Sequence, residues 1–224
     1  TSTSVFDFSQ AEFLVTGTAE FRGGTVTIAN PLPAELTIPI VSGTMLLNAD
    51  QTLDSVEYLL ATVGGSGDVV FSGNSLLNGL TLEGTGTATV AANADLSVAG
   101  FNATFHRSVE NFGRVRTNSS RITLNETFIN RSGGQLVVAG GGIISGSASI
   151  LNEGTFSKSG TTLSQLNVEI VNTGDFLVAD GELKLTEGST TTSIDVPEGA
   201  ALRFNRTFTF SPGTALTGAG SVEF

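Results

Sequence analysis

Eleven side chains in this 224-residue chain are Lys, Arg or His, and six of them fall within 26 positions: His106, Arg107, Arg114, Arg116, Arg121 and Arg131. Their types could do chemistry. An arginine can take a proton from a sugar carbon or clamp a carboxylate in its guanidinium fork, and a neighbouring acid such as Glu110 can return a proton. The group is a candidate face for an acidic glycan. The same residues also read as a solvated surface whose charges pair with Glu110 and Glu126. No group of aspartates accompanies them, and no nucleophile and acid stand around His106 as a serine triad would need.

Other chemistry narrows quickly. Cysteine is absent, which removes disulfides, thiolate nucleophiles and cysteine zinc sites. No phosphate-binding or dinucleotide fingerprint precedes a helix. Gly64-Gly65-Ser66-Gly67-Asp68-Val69 resembles one unit of a calcium-binding nonapeptide repeat, but Asp68 falls one position early and nothing repeats in register, so an ordinary glycine turn is expected. No catalytic residue, metal ligand or cofactor is assigned. The formal charge of −11, from 21 acids against 10 bases, argues against nucleic acid and against an anionic membrane surface. No apolar run approaches the roughly 20 residues of a spanning helix, so no membrane insertion is expected. No signal peptide opens at Thr1, and any targeting segment is expected to lie outside this sequence.

The elements that must position these residues are announced by four asparagines. They stand in Glu110-Asn111-Phe112-Gly113, Ile129-Asn130-Arg131-Ser132-Gly133, Leu151-Asn152-Glu153-Gly154 and Val171-Asn172-Thr173-Gly174, at steps of 19, 22 and 20 residues. A phrase returning at such a period marks a solenoid, each repeat being one coil stacked on the last. Short apolar/polar alternation follows each phrase, with Phe156 and Phe176 four past their asparagines and Val115 in the same place after Asn111. At a tight corner Gly supplies positive φ, and Asn tolerates the left-handed region. An inward Asn can also bond to the Asn of the next coil, about 4.8 Å away. Asn111, Asn130, Asn152 and Asn172 therefore form a candidate structural ladder, with exposed turns as the plain alternative.

The alternation continues to Phe224, with Pro197 taking the asparagine's place at a corner. The final strand carries no polar cap, so a longer parent protein or a partner over that end is expected. Residues 1–63 read as less regular coils and 64–224 as regular ones, together a single solenoid unit. Phe13 to Phe21 and Thr25 to Ile28 alternate like strands, while Pro31, Pro33 and Pro39 suit an edge or corner. Leu47-Asn48-Ala49-Asp50 and Ala92-Asn93-Ala94-Asp95 recur about two coils apart. Thr52 to Val63 is expected to be coil of the solenoid, although Leu53, Val56, Leu59, Leu60 and Val63 also fit a helical stripe.

Threonine pairs occur at Thr25, Thr85, Thr207 and elsewhere. Because the pairs are not spaced by one coil, β-propensity explains them better than an ice-binding array. Five sequons, at Asn102, Asn118, Asn125, Asn130 and Asn205, are close to what chance gives in so Ser- and Thr-rich a chain.

These phrases, above all 151–160, 171–178 and 213–222, resemble the Gly-, Thr- and Asn-rich parallel β-helix repeats of large bacterial surface and secreted, adhesin-like proteins. The resemblance covers residues 64–224 well and the first 60 poorly. It implies a right-handed parallel β-helix with coils of about 20 residues and a structural or adhesive role outside the cell, and it carries no catalytic residues. Charged residues make up 14% of the chain, against a typical quarter, in keeping with an exported solenoid. Three functions remain in view. One is a rigid stalk or surface-binding module whose partners are other segments of a parent protein or cell-surface glycans. A second is a carbohydrate-binding or polysaccharide-lyase-like β-helix using the His106–Arg131 face. The third is a unit that assembles end to end with other copies of itself.

Overall fold

The computed structural model describes residues 5–8 and 17–224. Phe13, the start of one alternating stretch, lies outside the described residues. All described secondary structure is β, and the strand pairings are parallel. The chain winds through about 11 turns whose coils lie about 19 residues apart. At one strand spacing per turn the rod is roughly 50 Å long.

Each regular coil adds one strand to each of three columns. The first column includes Ala103–Phe105, Arg121–Leu124 and Ile143–Gly146. The second includes Val109–Asn111, Phe128–Asn130 and Ile150–Asn152. The third includes Arg114–Asn118, Gln135–Ala139 and Thr155–Ser159. Two nine-residue strands, Ser164–Asn172 and Glu182–Thr190, turn a corner and serve the first and second columns together.

Alternation along each strand sends every second side chain into the prism, where the parallel register stacks like on like. One inward rank of the third column runs Leu96, Val115, Leu136, Phe156, Phe176, Ile194. The Phe156 and Phe176 rings lie 4.6 Å apart in a tilted contact, a pair contributing about 0.5–1.5 kcal/mol beyond its buried area. The buried apolar residues form one cluster from Val26 to Phe204.

Thr52 to Val63 is coil of the solenoid, as expected: it forms two strands, Gln51–Asp54 and Glu57–Gly64, and not the helix that its apolar stripe also fitted. Ser55 turns the corner at φ 53°, and Leu60, at φ 48°, is turned out to 66% exposure. Tyr58, outside the stripe, points into the core instead. Pro197 does not succeed Asn172. The next rung above Asn172 is Thr190, and Pro197 turns a different corner, after Ile194–Asp195. The Asn48 and Asn93 phrases also turn different corners. Asp50 accepts the Asp68 N–H at 2.9 Å and Asp68 that of Thr87 at 2.7 Å, whereas Asp95 pairs in the third column with Asn74.

Candidate functional site

The second column carries an inward rank that changes character along the rod. It begins Leu53, Phe71, Val90, becomes Asn111, Asn130, Asn152, Asn172, then Thr190 and Phe210. The four asparagines are wholly buried. Asn111 Nδ2 donates to Asn130 Oδ1 at 2.7 Å, Asn130 Nδ2 to Asn152 Oδ1 at 2.6 Å, and Asn152 Nδ2 to Asn172 Oδ1 at 2.5 Å. The second amide hydrogen of each goes to a corner carbonyl: Gln135 O, Thr155 O and Asp175 O, each at 3.0 Å.

The two ends of this ladder differ. Asn172 Nδ2 closes it on the hydroxyls of Thr190 at 3.0 Å and Thr192 at 2.8 Å. At the other end Asn111 Oδ1 is buried beneath Val90 and accepts nothing. A buried carbonyl left open costs about 1–3 kcal/mol, so the first rung is the weakest.

In three of the four phrases the glycine after the asparagine is there for space. None of these asparagines has positive φ, and neither do Gly113, Gly154 and Gly174. Gly133, at φ 86° and with no atom near its missing Cβ, keeps the corner geometry expected from the sequence, while its neighbour Gly134 does not. A Cβ on Gly174 would stand 2.1 Å from Gly154 O, and one on Gly154 2.4 Å from Gly134 O. Successive coils approach so closely at this corner that only glycine fits.

The six basic residues do not share a face. A run of 26 residues exceeds one turn, so it wraps the whole prism. His106 and Arg107 lie at the corner between the first and second columns, and Arg131 at the corner between the second and third. Arg114 and Arg116 point outward from the third column, and Arg121 opens a strand of the first.

Most of the six are already engaged. Arg131 bridges Glu110 at 2.7 Å and Glu153 at 3.3 Å, a three-coil charge ladder that holds its guanidinium above the ordinary pKa through those two hydrogen-bonded carboxylates. Arg116 and Arg114 lie 3.2 and 3.7 Å from Asp95. Asn125 Nδ2 donates to His106 Nδ1 at 3.1 Å. The Arg121 side chain is exposed, while its N–H donates to Asn102 Oδ1 at 3.1 Å. Glu126 borders a shallow hollow with His106 rather than an ion pair.

Arg107 is buried, with 2% exposure. Its Nε donates to Glu83 O at 2.8 Å, Nη1 to Gly67 O at 3.1 Å and Nη2 to Gly65 O at 2.9 Å. The glycine turn that resembled a calcium loop thus presents its carbonyls to a guanidinium two coils away. Desolvation lowers the Arg107 pKa, partly offset by Asp68 and Glu83. A Cβ on Gly84, at φ 99°, would lie 2.0 Å from Gly65 O and 2.5 Å from Arg107 Nη2.

The chain matches no known family model, no curated protein and no solved structure.

Three features escaped the sequence reading. Lys158 is wholly buried in the third column between Val138 and Val178, its ammonium donating to Asp180 O at 2.9 Å, Ser159 O at 3.0 Å and Gly160 O. Burial lowers its pKa, with Asp180 opposing. Two-residue alternation from the inward Phe156 was the available signal. Tyr58 is buried with no partner for its hydroxyl, and desolvation raises its pKa. Finally, single threonines do align coil by coil on the first column: Thr25, Thr44, Thr62, Thr81, Thr104, Thr123, then Ser145. The adjacent outward rank runs Thr27, Leu46, Gly64, so the hydroxyl row is one residue wide.

Proposed function

We propose that this chain is a rigid spacer within a large extracellular protein, its work being mechanical and its surface available for adhesion. The observation that supports this reading best is the continuity of interactions along the axis. Backbone ladders in three columns, the buried Asn111–Thr190 series and the Glu110–Arg131–Glu153 charge series all run from coil to coil. Each coil is thereby tied to its neighbours by directional bonds as well as by burial, which resists slippage of register. The low charge content and the surface of Ser, Thr, Gly and Asn favour an exported protein.

Binding to a panel of neutral and acidic glycans, with the chain immobilised and salt varied, tests this against the glycan-site reading. A spacer binds acidic glycans no better than neutral ones, and Arg114→Ala with Arg116→Ala changes nothing. Salt-sensitive acidic binding that those two substitutions abolish would overturn the spacer reading.

A further inference from the structure

The second column starts late. Its strand Gln51–Asp54 pairs with Val69–Ser72 on one side, and among the described residues no strand pairs with it on the other. The preceding coil passes this place as a loop in which Pro31 and Pro33 have no N–H to give. Regular pairing resumes where Glu57 N–H donates to Pro39 O at 2.9 Å.

The open edge can be read group by group. Gln51 N–H donates to Asp68 O at 2.9 Å and Ser55 N–H to Ser72 O at 3.0 Å. In a parallel ladder alternate residues bond to the same neighbour. Thr52 and Asp54 therefore direct their N–H and C=O groups away from Val69–Ser72, towards the loop. Between the two lies a hollow of about 400 Å³, bordered by Pro31, Leu32, Leu36, Ile38 and Leu53 among others.

At one end of this slot a side chain already imitates a peptide. Gln51 Oε1 accepts the Leu32 N–H at 3.0 Å, and its Nε2 donates to Asn30 O at 3.1 Å. The amide of Gln51 thus fills the place of a missing rung, and the slot continues past it over Thr52 to Asp54. Exposed Asp50 and Asp54 flank it on a chain of net charge −11.

We propose that this edge binds an extended peptide as an added strand, with an apolar side chain at the Leu53 rank and Lys or Arg beside Asp50 and Asp54. Main-chain bonds to Thr52 and Asp54 would supply affinity, and the apolar hollow the side-chain preference.

The test is an amide-resolved NMR titration of the full chain with the capped peptide Lys-Val-Thr-Leu-Lys. Three comparisons accompany it: the peptide N-methylated at its central residue, the peptide with Glu for Lys, and the variant Leu36→Glu, whose thermal unfolding shows whether it remains folded. Saturable shifts centred on Thr52 and Asp54 are expected, with at least tenfold weaker binding for the N-methylated and Glu peptides. Leu36→Glu should lose binding while keeping its fold. Should that variant unfold, Asp54→Lys serves in its place and should reverse the preference between the Lys and Glu peptides. No saturable shift at millimolar peptide, equal binding of the N-methylated peptide, or shifts at Thr52 and Asp54 that depend on protein concentration alone would overturn the proposal. The last result would show a second copy of the chain at this edge.

Discussion

Asn130 Nδ2 donates to Asn152 Oδ1 at 2.6 Å across 22 residues of sequence. The same nitrogen also donates to Thr155 O at 3.0 Å, so one side chain ties its own coil to both the side chain and the corner of the next. Removing it strands the Asn152 carbonyl oxygen and takes away the acceptor of Asn111 Nδ2. Asn130→Ala should therefore cost about 1–3 kcal/mol, read as a lower denaturation midpoint. Asn130→Asp should cost more at neutral pH, because a carboxylate cannot donate to Asn152 and its charge is buried. An unchanged midpoint for both would show that the ladder contributes nothing.

The open end of the ladder gives a second, relational prediction. In Val90→Thr the new hydroxyl stands beneath Asn111 Oδ1, which has no donor. In Val63→Thr an equally buried valine, between Met45 and Leu82, acquires a hydroxyl of the same size. Val90→Thr should be near neutral, while Val63→Thr should lose about 1–3 kcal/mol as a polar group buried without a waiting partner. Equal losses at the two sites in paired melts would remove the idea of an unsatisfied first rung.

How far the chain could be read from its residues depends on which physical signal each feature leaves. The asparagine period and the Phe156/Phe176 offset announce a stacked coil because parallel register repeats a residue type at the same rank. The basic cluster misleads for the same reason: nearness in sequence becomes separation once a coil of about 19 residues turns through three corners. Gly154 and Gly174 look like positive-φ turn residues, yet what excludes a side chain is the backbone of the preceding coil, a contact between residues some twenty positions apart. The threonine rank is hidden because Thr62, Thr81 and Thr104 stand at uneven steps that only strand register resolves.

Lys158 predicts a pH dependence. Its folded pKa lies below 10.5, so between the folded and unfolded values the unfolded chain binds more protons and stability rises with pH. Comparing the wild type with Lys158→Met isolates the effect: the difference should shift in favour of the wild type as pH is raised towards 10.5. Parallel curves for the two proteins would show an ammonium as well solvated folded as unfolded.

Tyr58 acts in the opposite direction. Its folded pKa is raised from 10.0 by burial, so the folded chain keeps the phenolic proton that the unfolded chain releases. The stabilisation is present below pH 10 and is lost as pH climbs beyond it. Tyr58 is the only tyrosine and tryptophan is absent, so tyrosinate absorbance reports it cleanly and should appear only together with unfolding. Tyr58→Phe should be neutral or stabilising by about 1 kcal/mol, since it removes an unsatisfied buried hydroxyl.

The spacer reading is tested most directly by pulling a single chain from its two ends. A rod in which each coil is bonded to the next should release in discrete steps of roughly 60–65 Å, one coil of about 19 residues at a time. The coils between Asn111 and Thr190 should yield last and at the highest force, and Asn130→Ala should lower that final force. Smooth extension at low force, without steps and without a resistant segment, would contradict a mechanical role for this chain.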